Sequence, residues 1–352
     1  MPFINSFGSA SSRGYGFTRG GGGGDPVITA IRTAFGLAGS VNTYSQPQGW
    51  TYVDLRNVVG SPTLITVSCA GSRGGGGGSY AAGYGASVVA TVPTSFLAGK
   101  IIGFVNAGSP PGDVAQGRSS SGGGGFSGII QLSTSDYAKG NTLTHVITAG
   151  GGGGANGGGD NGRNIPGQSS NTIVYSGSPS GGISLAKNQG GSTGYYPSLS
   201  YAAKAGNSYG GGDGASDNQG RDLFVNGGGG GFGPRRGVQP NGNYDPSGRS
   251  TGMDLGYSAI NPINDSEPHI GAFGGGGCGA EGASGGVPWR VISSGGGGGG
   301  FNGGNTGWDP NQGDTYALPA GGGTSFCWSS GNLISHSGGN SSTGYCNLSW
   351  TA

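Results

Sequence analysis

Charge is scarce in this chain. Its 352 residues include 16 Lys and Arg against 15 Asp and Glu, 9% charged in all, for a formal net of +1. A nucleic-acid binder carries a clustered basic footprint, so no nucleic-acid partner is expected. No stretch approaches the roughly 20 apolar residues of a membrane span, and no membrane insertion is expected either. The opening Met1-Pro-Phe-Ile-Asn-Ser-Phe-Gly-Ser-Ala10 lacks the apolar core of a secretory signal, which predicts assembly in a cytoplasm or removal of a leader.

Histidine is also rare: His145, His269 and His336 are the whole set. An enzyme needs activated groups in a constellation, and this composition is poor in the residue types that supply one. Gly-X-Ser-X-Gly occurs at Ser192, Ser208, Ser250 and Ser284. None of these follows an apolar strand and opens a helix, the context that gives the pattern meaning. No Gly-Lys-Ser/Thr closes a phosphate loop, and Asp213, Asp217 and Asp222 lack the regular spacing of a calcium loop. The expectation is a non-enzyme with no cofactor and no metal. Four cysteines allow three pairings. Cys327 and Cys346, close in sequence, are the candidate structural disulfide, and free buried thiols in a reducing compartment stand beside it as the other reading.

What the chain has in excess is glycine, 90 residues of 352. Runs recur at 20–24, 74–78, 122–125, 150–154, 227–231, 274–277 and 295–300. Flexible linkers mix Gly with Ser between domain-sized segments; here runs of similar length punctuate segments too short to be domains. Three of them end on an aromatic residue, Phe126, Phe232 and Phe301, for which a linker has no use. The ordered alternative is a bundle of threefold helices with polyproline II geometry, which lack internal hydrogen bonds and rise about 3.1 Å per residue. Without side chains such helices can approach until each N–H and C=O finds a partner on a neighbour.

Three regions follow. Residues 1–47 read as an attachment or assembly leader, with one short helix over 27–38. Residues 48–149 hold six short runs rich in Val, Ile, Thr and aromatics, at 50–55, 63–69, 86–92, 100–105, 127–132 and 142–149. They predict an antiparallel, jelly-roll-like sandwich with glycine-rich connections. From 150 to 352 regular strands are expected to stop, leaving a polyglycine-helix bundle with long variable loops and a C-terminal closing segment. The fold class is thus mainly β with polyglycine II.

Val146-Ile-Thr-Ala-Gly-Gly-Gly-Gly-Gly-Ala155, Asn226-Gly-Gly-Gly-Gly-Gly-Phe232, Ala272-Phe-Gly-Gly-Gly-Gly-Cys278, Ser294 to Gly304 and Gly323-Thr-Ser-Phe326 resemble, in order, the extracellular glycine-rich domain of the anaplastic lymphoma kinase receptor family. That series covers about half the chain. Val67 to Gly78 followed by Gly83-Tyr-Gly-Ala-Ser-Val-Val89 is similar to glycine-rich repeats of phage and other viral tail proteins. The resemblance implies a strand-rich sandwich from which glycine helices emerge into a hexagonal bundle, with loops at its ends binding a partner. The chain shows no transmembrane or kinase portion, which favours a virion component over a receptor.

Tyr195, Tyr196, Tyr201, Tyr209, Tyr244, Tyr257 and Trp308, with Trp289, lie in or beside the long loops among Asn, Ser and Gly. Rigid aromatics mixed with small polar residues are what antibody paratopes use, and aromatic faces also suit sugar rings. The first seven are the receptor-binding candidates; covering the bundle ends is the plainer role for any one of them. The expectation is a tail-fibre or surface-fibre adhesin, located in the virion and assembled in the host cytoplasm. Its expected partners are a host cell-surface glycan or protein and other virion or fibre subunits, and a homo-oligomer is anticipated, with a trimer as one form. A self-assembling extracellular filament or coat protein is the first alternative, and a ligand-binding receptor ectodomain the second.

Overall fold

A computed structural model describes residues 24–76, 81–108, 121–133, 142–155, 169–176, 280–283, 291–294, 296–301, 303–304 and 320–351. The fold is mainly β. Helix α1 (Pro26–Ala34) opens it, and its start is set locally: Pro26 fills the first turn, where no N–H partner is needed, and Asp25 is the N-cap. The Asp25 Oδ1 accepts from the backbone N–H of Val27 at 2.8 Å and of Ile28 at 3.3 Å. Its Oδ2 accepts from the Ser61 and Thr94 hydroxyls. Burial alone would raise the Asp25 pKa, but those four hydrogen bonds outweigh it and hold the carboxyl below its ordinary value. Val27, Ile28 and Ile31 share the buried face of α1.

Six strands form where the Val/Ile/Thr runs predict them: β2 (Gly49–Asp54), β3 (Leu64–Ala70), β4 (Gly85–Pro93), β5 (Ile101–Asn106), β6 (Ser127–Leu132) and β7 (Thr142–Ala149). A short helix, α2 (Thr94–Leu97), joins β4 to β5. Before them runs β1 (Thr43–Ser45). After them come β8 (Ile173–Tyr175), β9 (Ala280–Ala283), β10 (Val291–Ser294), β11 (Ser325–Cys327), β12 (Leu333–Asn340) and β13 (Tyr345–Trp350). Strands β9 and β10 pair with each other as an antiparallel two-stranded unit.

The other strands make two sheets. A five-stranded sheet has the order β1-β13-β3-β4-β12, and a six-stranded sheet the order β2-β5-β6-β7-β11-β8. Every pairing is antiparallel except β11 with β8. Alternation drives the burial: β3 hides Ile65, Val67 and Cys69, β4 hides Val88, Ala90 and Val92, and β13 hides Cys346, Leu348 and Trp350. These face Phe104, Ile129 and Ile147 of the second sheet in one apolar core that α1 closes with Val27, Ile28 and Ile31.

Two features correct the sequence reading. Regular strands do not end at residue 150, because β11, β12 and β13 complete both sheets, with β13 inserted between β1 and β3. Nor does a leader end at residue 47: α1 and β1 belong to the sandwich, and Phe35 stacks on Tyr44 with ring centroids 3.8 Å apart and meets Phe104 edge-on at 5.2 Å.

Candidate functional site

The glycine-rich segments leave the sheets at one pole. Segments 71–76 and 150–155 run outward from the ends of β3 and β7. Segments 81–84, 121–126, 296–301 and 320–324 lie beside them, and three of these lead directly into β4, β6 and β11. None belongs to a helix or strand, yet their residues are almost all buried. A buried backbone must find its hydrogen bonds somewhere, and here it finds them on neighbouring segments.

Segment 150–155 is the hub. Gly151 donates to Gly299 O at 2.8 Å and Gly154 to Gly296 O at 2.9 Å. Gly152 donates to Ser72 O and Ala155 to Gly75 O, both at 3.0 Å. In return Ala86 donates to Gly150 O at 2.8 Å and Gly83 to Gly153 O at 2.9 Å. Gly124 donates to Gly152 O at 2.7 Å and Ser121 to Ala155 O at 3.1 Å. Gly323 donates to Gly151 O at 2.7 Å. Four of the five neighbours are therefore met again three residues later: 296–299 at 151 and 154, 72–75 and 121–124 at 152 and 155, and 83–86 at 150 and 153.

The same period governs steric room. A Cβ on Gly150 or Gly153 would strike the carbonyl of Gly323 or Ala320; one on Gly151 or Gly154, that of Gly124 or Ser121; one on Gly152, that of Gly83. All these overlaps are with backbone, which cannot swing away. None of these glycines has a positive φ. Glycine is required here for the space its missing side chain leaves, as on the collagen axis.

Chain direction fixes which ends coincide. Segments 71–76 and 150–155 are parallel, and 296–299 and 121–124 run against them, as the falling and rising partner numbers show. Gly75, Ser121, Ala155 and Gly296 consequently meet at the pole away from the sheets. There the Ser121 hydroxyl lies 2.9 Å from Ala155 O and 2.5 Å from Gly75 O, its one proton shared between the two carbonyls, and Gly296 donates to Ser121 O at 2.9 Å.

At the opposite end the segments finish in aromatics gathered around one histidine. Phe126, Phe301 and Phe326 lie with ring centroids 5.0, 5.5 and 6.4 Å from that of His145 on β7, and Phe301 stacks on Phe326 at 4.5 Å. The His145 Nδ1 lies 2.8 Å from Thr148 Oγ1. Burial among these rings penalises the imidazolium and lowers the His145 pKa to about 3. His145 is thus a neutral, buried ring packed between sheet and glycine segments.

Tyr195, Tyr196, Tyr201, Tyr209, Tyr244, Tyr257, Trp289 and Trp308 all lie outside the described residues, as do Phe232, Cys278 and the three aspartates of the acidic cluster. In the structure the Cys327 and Cys346 thiols are free and buried, as is Cys69. Cys327 sits on β11 of the six-stranded sheet and Cys346 on β13 of the five-stranded one, within the same apolar core. The Cys327 thiol donates to Ser329 O at 3.1 Å. Sequence reasoning missed the junction at His145, although aromatic residues ending two of the runs were its signal.

No protein-family model and no curated protein matches the chain. Among the described residues no helix is long and apolar enough to cross a membrane, and no cluster of His, Cys, Asp and Glu is arranged to hold a metal.

Proposed function

We propose that this chain is a non-enzymatic viral structural protein, a tail-fibre or surface-fibre adhesin that holds variable loops on a rigid glycine scaffold for recognition of a host surface glycan or protein. In this reading the glycine segments are packed polyglycine II helices, carried on a jelly-roll-like sandwich that the last strand closes between β1 and β3. The observation that carries it is the three-residue recurrence of partners around segment 150–155, which is the turn of a threefold helix. The pole formed by Gly75, Ser121, Ala155 and Gly296 supplies fixed feet for the chain between them. A loop ordered before contact loses less entropy on binding, so a stiff scaffold serves recognition. The test exchanges residues 305–319, which include Trp308, for a Gly/Ser segment of equal length, and separately replaces Tyr195, Tyr196, Tyr201, Tyr209, Tyr244 and Tyr257 by Ser. Loss of host-cell adsorption with an unchanged melting midpoint is expected, and undiminished adsorption in every variant overturns the proposal.

One observation favours the filament alternative. β12 is an eight-residue strand at the edge of its sheet, with Ile334 62% exposed. Unpaired edges template pairing with another chain, and an open head-to-tail contact grows a fibre. Particle mass separates the two: a fixed small oligomer belongs to the adhesin, and a length-heterogeneous polymer to the filament.

A further inference from the structure

The two thiols that face each other are not the two close in sequence. In the antiparallel pairing of β13 with β3, Cys346 lies directly opposite Cys69. The backbone of Cys346 is turned the other way, since its carbonyl accepts from Gln46 N–H at 2.9 Å, on the β1 side. Two residues beyond Cys69, Gly71 donates to Ala86 O at 3.0 Å. With the alternation of a strand this turns the Cys69 backbone toward β4. Cys69 and Cys346 therefore form a non-hydrogen-bonded cross-strand pair, for which the Cα separation is about 4.5 Å. Disulfides span Cα distances of about 4.4–6.8 Å. Both side chains point to the same face, into the apolar core, and both are fully buried.

We propose that Cys69 and Cys346 close a disulfide that staples the final strand to the five-stranded sheet when the chain meets an oxidising medium, the free thiols being the reduced state of a redox device. The oxidant is a low-molecular-weight disulfide of the glutathione type. The thiolate of one cysteine attacks a sulfur of that disulfide and releases one small thiol. The thiolate of the other then attacks the mixed disulfide and releases the second. Two protein S–H bonds are lost, one S–S bond forms, and two small thiols carry away the protons and electrons. Burial raises the Cys69 pKa, and pushes that of Cys346 up to about 12, so both stay protonated in the folded sheet. Exchange consequently proceeds through opening of β13 and is slow in the folded protein.

The full chain is equilibrated with oxidised glutathione, with and without mild denaturant. Remaining thiols are then alkylated under denaturing conditions and the protein is digested for mass spectrometry. The expected result is an intact mass, taken before alkylation and digestion, lower by about 2 Da than that of the reduced chain, then one cross-linked peptide pair joining Cys69 to Cys346, and alkylated Cys327. The oxidised chain should melt higher by roughly 10 °C, as closing a long loop raises the midpoint. That rise should be present in Cys327→Ser and absent in Cys346→Ala. A bond that uses Cys327 or Cys278, or only glutathione adducts and free thiols after the denaturant cycle, overturns the proposal. The mapping is done on the unsubstituted protein, so it does not depend on the folding of either variant.

Discussion

The sandwich and the glycine segments are both buried, and they are buried for opposite reasons. Between the sheets, Phe104, Ile129, Ile147 and Leu348 exclude water with carbon, and backbone hydrogen bonds follow the regular ladders. Around segment 150–155 there is almost no carbon beyond Cα, and water is excluded because six backbones saturate one another. The first region is damaged by removing atoms and the second by adding them. The cost of order differs as well: glycine loses more conformational freedom on folding than any other residue, so the second region forms only where many contacts form together.

The contrast is sharpest in paired substitutions. Phe104→Ala opens a cavity in the sandwich and should cost about 4 kcal/mol, seen as a fall in the denaturant midpoint. Gly152→Ala adds a single methyl where the Gly83 carbonyl sits and should cost about 3 kcal/mol. Its loss of amide-exchange protection should centre on segments 71–76, 121–125 and 296–299. If Gly152→Ala melts like the parent chain, the steric account of the glycine segments fails.

The junction between the regions gives the next largest effect. His145 is held neutral in the fold, with a pKa of about 3, against an ordinary value near 6.5 in the unfolded chain. The unfolded state therefore binds more protons between those values, and stability falls as pH drops from about 6.5 toward 3. By pH 4 the loss should approach 3 kcal/mol. His145→Gln, which cannot titrate, should flatten most of that slope in melts taken from pH 7 to pH 4; an unchanged slope would place the acid sensitivity elsewhere. Smaller again is Asp25→Ala, which removes the N-cap of α1 and should cost about 1 kcal/mol in the same melting measurement. Gly39→Ala closes the series, since nothing lies within 4 Å of its added Cβ, and its midpoint should stay within about 0.5 kcal/mol of the parent.

How much of this was legible in the sequence depended on whether a segment carries its own pattern. The six strands between residues 49 and 149 were legible because each is a short Val/Ile/Thr run bounded by turn residues. Strand β12 was not: Leu-Ile-Ser-His-Ser-Gly-Gly-Asn has no apolar alternation, because it lies at an edge with little to bury. The helix over 26–34 was legible, but its membership of the core was not, since long-range packing leaves no local mark. For the glycine segments the sequence indicates order, through Phe126 and Phe301, but not which segment meets which. Their partners are chosen by where β3, β6, β7 and β11 end in space. The thiol pair was hidden for the same reason, because Cys69 and Cys346 are neighbours only through the register of β13.

The missing Cβ has a consequence at the level of the gene. Glycine is encoded by four codons that share their first two bases, so a change at either of those bases in segments 150–154 or 122–125 substitutes a residue with a side chain or stops translation. A change at the third base is silent. These stretches are consequently frozen at two nucleotides in every three. Mutation acting evenly along the gene would then accumulate in the protein unevenly, sparing these packed glycines.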